Sequence, residues 1–222
     1  MTGPFVITIG RQLGSGGRSI GHLLAEKFGI AYYDKEILSL AAAESGLGAK
    51  VFERGDERKS FLRGLFGAIT PMLTTGGDFY NNQISEDSLF HIQSGVIQKM
   101  AAQHSSVFIG RASDYILRDH PRSCHIFIAA NTEDRIAHIM ERRGIDRKHA
   151  KELMREADQQ RAGYYNFYAS GTWGSADTYN LCINSSILGY ERSADYIAQF
   201  VIEKLQLADL YPDLATRLMG KR

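Results

Sequence analysis

Phe5-Val6-Ile7-Thr8-Ile9-Gly10-Arg11-Gln12-Leu13-Gly14-Ser15-Gly16-Gly17-Arg18-Ser19-Ile20-Gly21 reads as a buried strand, a glycine turn and the start of a helix in immediate succession. Glycines permit positive φ and let backbone N–H groups converge on an anion with no Cβ atoms in the way. A helix N-terminus directly behind them adds its dipole to the attraction. That helix is legible downstream, because Ile20, Leu23, Leu24 and Phe28 share one face and Gly29 stands where a C-terminal cap belongs. A plain tight turn needs neither this density of glycines nor Arg11 and Arg18 beside them.

The stretch departs from the phosphate-loop pattern G-x-x-x-x-G-K-[ST] in one respect: no lysine follows the glycines. Two registers fit. One lays Gly17-Arg18-Ser19 on the Gly-Lys-Ser end, so that Arg18 supplies the cation. The other lays Gly14-Ser15-Gly16-Gly17-Arg18-Ser19 on Gly-x-Gly-Lys-Gly-Thr, so that Gly17 occupies the lysine position and Arg18 or Arg11 neutralises the phosphates from elsewhere. Both place the Ser19 hydroxyl where a magnesium ion is bound. An arginine in the lysine's role is expected, and the sequence leaves open which one. Arg11, Gly14, Ser15, Gly16, Gly17, Arg18 and Ser19 are the candidate cofactor-binding residues.

Working outward, apolar runs at 5–9, 31–33, 107–109, 125–129 and 181–183 alternate with helical patterns. This predicts an α/β architecture, a five-stranded parallel sheet covered by helices on both faces. Ligands in such sheets collect beyond the carboxyl ends of the strands, where Gly10, Asp34, Gly110-Arg111 and Asn184-Ser185 would lie. A helix is expected from Asn131 or Thr132 to a stop at Gly144, another capped by Asp146, and a last one from about Ser193 to Leu205. Residues 40–97 carry helical patterns without a convincing strand and read as an insertion over the sheet. Residues 161–177, rich in Tyr, Gly and Ser, read as a mobile loop within a lid of about 155–177. One domain spanning 1–207 and a docked or frayed tail, 208–222, complete the organisation.

Several further side chains fit an anion site. Asp34 ends the second strand, about twenty residues past the glycine turn, where a carboxylate can orient an acceptor nucleotide, hold a ribose hydroxyl or cap the next helix. Arg111 follows a central strand, with Asp114 close behind, and its planar guanidinium suits bidentate phosphate contact. Arg135, Arg142 and Arg143 lie along one helix. Asp158 and Arg161 sit at the root of the aromatic segment, either as an ion pair or as a device that brings Arg161 to a transferring phosphoryl group.

Composition narrows the alternatives. The chain has 222 residues, 26 basic against 25 acidic, a net charge of +1. That balance supplies no global field for nucleic acid or an anionic membrane. No apolar segment approaches the roughly 20 residues that cross a bilayer, and a cytoplasmic protein is expected. Cys124 and Cys182 lie in apolar runs and read as buried thiols. His91, His104, His120, His125, His138 and His149 lack the spacing of a zinc site, and Leu13-Gly14-Ser15-Gly16-Gly17 lacks the first glycine of a serine hydrolase elbow.

With these residues assembled, the chain resembles the cytidylate kinase-like proteins, a nucleoside monophosphate kinase branch of the P-loop fold. The resemblance runs from Ile7 to about Leu205. It rests on Gly14-Ser15-Gly16-Gly17-Arg18, Tyr33-Asp34-Lys35-Glu36, Gly110-Arg111 with Asp114, Glu133-Asp134-Arg135 with Arg142-Arg143-Gly144, Asp158 with Arg161, Tyr164-Tyr165, and Tyr179-Asn180-Leu181 with Asn184-Ser185. It implies transfer of the ATP γ-phosphoryl group to a nucleoside monophosphate such as CMP or dCMP, with Mg²⁺ at Ser19. Arg18, Arg161 and Asp158 would serve catalysis, Arg142 the cofactor, and Asp34, Arg111 and Asp114 the acceptor. The chain departs from cytidylate kinases in the missing lysine, in Gly110-Arg111-Ala112 where they carry Gly-Arg-Asp, and in the 40–97 insertion. Two other classes compete. One is a nucleotide-binding sensor or adaptor without catalysis; the other is an NAD-dependent oxidoreductase, disfavoured because Ser19 stands at the last glycine of G-x-G-x-x-G.

Overall fold

A computed structural model describes residues 3–34 and 86–220. Most of the expected 40–97 insertion therefore lies outside the described residues. Strands β1 (Val6–Arg11), β2 (Ala31–Tyr33), β3 (Ser106–Ile109), β4 (Ser123–Ala129) and β5 (Leu181–Asn184) form one sheet in the order β2-β3-β1-β4-β5. Every pairing is parallel, and β1 is central, with Ile9 opposite Ile109 on one side and Ile126 on the other. The described helices are α1 (Gly17–Phe28), α2 (Glu86–Gln103), α3 (Ser113–Ile116), α4 (Thr132–Arg143), α5 (Arg147–Tyr168), α6 (Ser185–Leu205) and α7 (Pro212–Met219).

The period-2 alternation of β1 distributes its side chains between two cores. Phe5, Ile7 and Ile9 pack with Ile20 and Leu24 of α1 and with Ile197 and Val201 of α6. Val6 faces the opposite layer, with Val96 and Ile97 of α2, Phe108, and Ile116 of α3. Each such aliphatic side chain, buried completely, contributes about 1.5–3 kcal/mol. The sheet is therefore rigid where the chain leaves β1 for the glycine turn. None of the described helices is long and apolar enough to cross a membrane.

At α4 and α5 the helix starts fall where the sequence places them, although Asn131 makes no side-chain cap hydrogen bond to α4. Asn131 precedes α4 in extended conformation, Glu133 and Asp134 occupy its first turn, and Gly144 closes it at φ 64°. Asp146 caps α5 by accepting from the His149 N–H at 3.0 Å. Three expectations need correction. The helix α5 continues to Tyr168, so the first half of the segment read as a loop is helical. Its aromatic residues explain this: Tyr165 is buried, and Tyr168 stacks on Phe90 of α2 with centroids 4.0 Å apart. Packing of an aromatic face outweighs the weak intrinsic propensity of Tyr, Asn and Gly. Likewise α6 reaches back to Ser185, across a break at Gly189 (φ 71°) that separates a short first turn from the expected helix, which runs from about Tyr190 rather than Ser193. Cys124 is buried as expected, whereas Cys182 on the outer strand is exposed. The tail is docked: Leu214 and Ala215 of α7 are buried, and Tyr211 sets its ring edge-on against Phe5 and Phe28 at 6.1 and 5.1 Å.

Candidate active site

The glycine turn leaves β1 at the switch point of the sheet, where the chain connections diverge to either side. Gly14 (φ 81°) and Gly16 (φ 75°) are left-handed. A Cβ on Gly14 would lie 2.7 Å from the Arg135 carbonyl oxygen, and one on Gly16 would strike the Tyr190 ring at 2.2 Å. Gly16 is also the residue before α1; no side chain caps this helix and its first turn holds no acidic residue. The first N–H groups of α1 thus lack the side-chain acceptor that Asp146 gives α5, and the dipole end is left for an anion.

Arginines converge around this end. Arg11, the last residue of β1, sends its stem across Gly17, whose Cβ position lies 2.6 Å from Arg11 Cβ, and its Nη1 to 1.8 Å from the Cβ position of Gly110. Burial, then the charges of Arg161, Arg18 and Arg111, pull Arg11 well below the ordinary guanidinium value, to about 9, so it is still a cation at neutral pH. Arg18, in the first turn of α1, pairs with Asp34 at 3.3 Å. Arg161 donates to the Arg11 carbonyl at 3.2 Å and lies 3.6 Å from Asp158. Its pKa is lowered by burial, an effect Asp158 opposes and Arg135 and Arg18 reinforce. Clustering like charges in a partly buried space is unfavourable unless an anion compensates it.

The loop is held from behind by side chains that leave this face clear. Asp158 accepts from the Leu13 N–H at 2.8 Å and pairs with Arg135, which is itself buried and donates from Nε to the Leu13 carbonyl at 2.7 Å. His138 donates through Nδ1 to the Gly14 carbonyl at 3.0 Å, with the Tyr190 hydroxyl 3.1 Å from the same nitrogen. Ser185 donates to the Ser15 carbonyl at 2.8 Å. Ser15, fully buried, turns its hydroxyl back to the Gln12 carbonyl at 2.9 Å. Ser15 shapes the loop with its side chain, and Asp158 is a brace between α5, α4 and the loop. The bracing by Arg135, His138 and Ser185 was not derivable from spacing, because the partners are backbone carbonyls more than a hundred residues away.

Beyond β3 the chain makes a second tight feature. Gly110 (φ 69°), Arg111 (φ 61°) and Ala112 (φ 50°) are consecutively left-handed. For Arg111 and Ala112 this conformation costs on the order of 1 kcal/mol each, the kind of strain concentrated at functional sites. Buried Gln93 of α2 supports the turn, donating to the Arg111 carbonyl at 3.4 Å and to Tyr164 at 3.2 Å. Asp114 is buried and accepts from the Tyr165 hydroxyl at 2.5 Å. Burial raises its pKa, against the hydrogen bond from Tyr165. This contact locks α3 to α5, so the structure gives Asp114 a positioning role.

Ser19 is exposed in the first turn of α1. Arg142 is exposed in the last turn of α4, and its charge acts on Tyr190, which covers Gly16. The structure therefore brings Arg11, Arg18, Arg111 and Arg161 together, with Arg142 on the outer side of the loop.

No curated protein matches the chain in sequence. Among solved structures, an uncharacterized protein from Eubacterium ventriosum is 27% identical, with a TM-score of 0.67 over 89% of this chain and 98% of its own. A gluconokinase from Sinorhizobium meliloti (12% identity, TM-score 0.54, covering 93% and 98%) and a shikimate kinase from Bacteroides thetaiotaomicron (13%, 0.50, covering 91% and 99%) share the fold. The family model described as cytidylate kinase-like matches residues 6–187, which takes in the glycine turn, the β3 turn and all the converging arginines. The chain therefore belongs to the cytidylate kinase-like family and has the fold of P-loop kinases.

Proposed function

We propose that the chain transfers the terminal phosphoryl group of ATP to a small acceptor, with a nucleoside monophosphate of the CMP or dCMP kind as the first candidate. Family membership supports nucleotide-dependent phosphoryl transfer. The observation that carries the reading is the convergence of Arg11, Arg18, Arg111 and Arg161 on the open end of α1. In the reaction the bond from the bridging oxygen to the terminal phosphorus breaks, ADP leaves, and an acceptor oxygen forms the new bond. Such transfer depends on positioning and charge stabilisation, which amides and guanidiniums provide without an activated nucleophile on the protein.

The N–H groups of the Gly14–Ser19 turn would hold the donor phosphates, and Arg142 would lie toward the rest of the nucleotide. The Ser19 hydroxyl would be the protein oxygen that holds a magnesium ion, whose charge would offset that of the donor phosphates. Asp34 and Arg111, at the ends of β2 and β3, would face the acceptor. Arg161 would stabilise charge on the transferring group, kept in place by Asp158. The test is ADP release with ATP and Mg²⁺ across nucleoside monophosphates and small metabolite alcohols. Turnover with one acceptor, lost in Arg161→Ala while ATP binding is largely kept, supports the reading. ATP binding with no ADP from any acceptor would favour a nucleotide-binding protein without catalysis.

A further inference from the structure

We infer that Arg11 does the work of the missing phosphate-loop lysine, through an exchange of positions in which Gly17 gave up the side chain and Arg11 fills its space. The inference deepens the phosphoryl-transfer reading and rests on it. In the register Gly-x-Gly-Lys-Gly-Thr, Gly17 stands at the lysine. It is also the first residue of α1, where a side chain would start out toward phosphates held at the helix end. That start is occupied by another residue: the Cβ position of Gly17 lies 2.6 Å from Arg11 Cβ and 2.8 Å from Arg11 Cγ. The two stems therefore exclude each other. The Arg11 stem passes over Gly17 and its Nη1 ends against Gly110, between the glycine turn and the turn that carries Arg111. A cation there lies between the donor cradle and the acceptor side.

The competing candidates are differently placed. Arg18 is paired with Asp34 at the end of β2, and Arg161 is tied to Asp158 and to the Arg11 carbonyl. Among the described residues no carboxylate pairs with the Arg11 guanidinium, while three other arginines act on it. Gly110 is required by the same arrangement, since any Cβ there would overlap Nη1 as well as oppose a φ of 69°. A planar guanidinium can grip two phosphate oxygens at once where an ammonium acts as a point charge, so the exchange also changes how the donor phosphates are held.

The experiment measures binding of ATP with Mg²⁺, and of inorganic tripolyphosphate, by calorimetry. The variants are Arg11→Met, Gly17→Lys and the double Arg11→Ala/Gly17→Lys, each checked for native circular dichroism. Arg11→Met, which retains the stem, is expected to weaken both ligands by about 10–100-fold, the scale of a lost charge-assisted contact. Gly17→Lys alone is expected to bind weakly, because its stem collides with Arg11. The double variant is expected to recover to within several-fold of wild type. Wild-type affinity in Arg11→Met, or a double variant that folds and binds no better than Arg11→Met, would overturn the exchange and leave the phosphoryl-transfer reading intact. If the wild-type protein binds neither ligand, that reading itself fails, and the inference with it.

Discussion

Replacing Arg11 by Met should make the ligand-free protein more stable, the reverse of the usual effect of deleting a partly buried side chain. Methionine keeps most of the stem that crosses Gly17 and removes only the charge. The fall of Arg11 from the ordinary guanidinium value to about 9 corresponds to roughly 5 kcal/mol of unfavourable environment for the cation. That is an upper bound, since Arg11 as a residue is only partly buried, and a gain of about 1–2 kcal/mol is the expected outcome. The sign with pH follows. The native group loses its proton at lower pH than the unfolded one, so the penalty is full below about 9 and shrinks as pH rises through that value. Urea unfolding at low ionic strength, between pH 7 and 10, should show the Met variant ahead at neutrality and the gap narrowing toward pH 10. Added pyrophosphate should stabilise the wild type and leave the variant nearly unchanged. A Met variant that unfolds at the same or a lower urea concentration than wild type in anion-free buffer would refute the picture of an uncompensated cation cluster.

Asp158→Ala should cost about 3 kcal/mol, because it strands buried Arg135 and the Leu13 N–H together; chemical denaturation checks it, and a loss below 1 kcal/mol would mean the brace is dispensable. Gly16→Ala should cost about 2–3 kcal/mol and abolish nucleotide binding, since its Cβ meets the Tyr190 ring at 2.2 Å in a left-handed backbone. Tolerance of that change in thermal unfolding would show the loop to be pliable. Burial lowers His125 from 6.5 to about 4, with Thr8 Oγ1 2.9 Å from its Nδ1. The unfolded chain therefore takes up the proton first, and stability present above pH 6.5 is lost as pH falls toward 4, by about 1–2 kcal/mol. His125→Gln should flatten the stability profile across that interval, and an unchanged slope would assign the acid sensitivity elsewhere.

The aromatic segment shows where local reading stops. Tyr164 to Tyr168 lack a clean helical signature in composition, and the segment becomes helical through partners the sequence holds far away: Phe90 and Gln93 on α2, and Asp114 after β3. The same holds for Asp114. The reversal through three left-handed residues carries it under α5, where it accepts from Tyr165, a contact that its place three residues after Arg111 does not reveal.

By itself the sequence determined the parallel sheet, the glycine turn and the family, because these depend on short-range facts: apolar periodicity, glycine's freedom at positive φ, the Asp146 cap and the Gly144 stop. It also supplied the set of arginines. Only the tertiary structure decided where each of them sits and what it touches. Arg11 leaves the end of β1 and crosses Gly17 because parallel pairing brings Gly110 alongside it, and Arg18 is drawn aside because Asp34 closes β2. Sequence spacing carries no information about which stem occupies a shared volume, and exclusion between Arg11 and any side chain at residue 17 exists only once the strand, the turn and the helix are packed together.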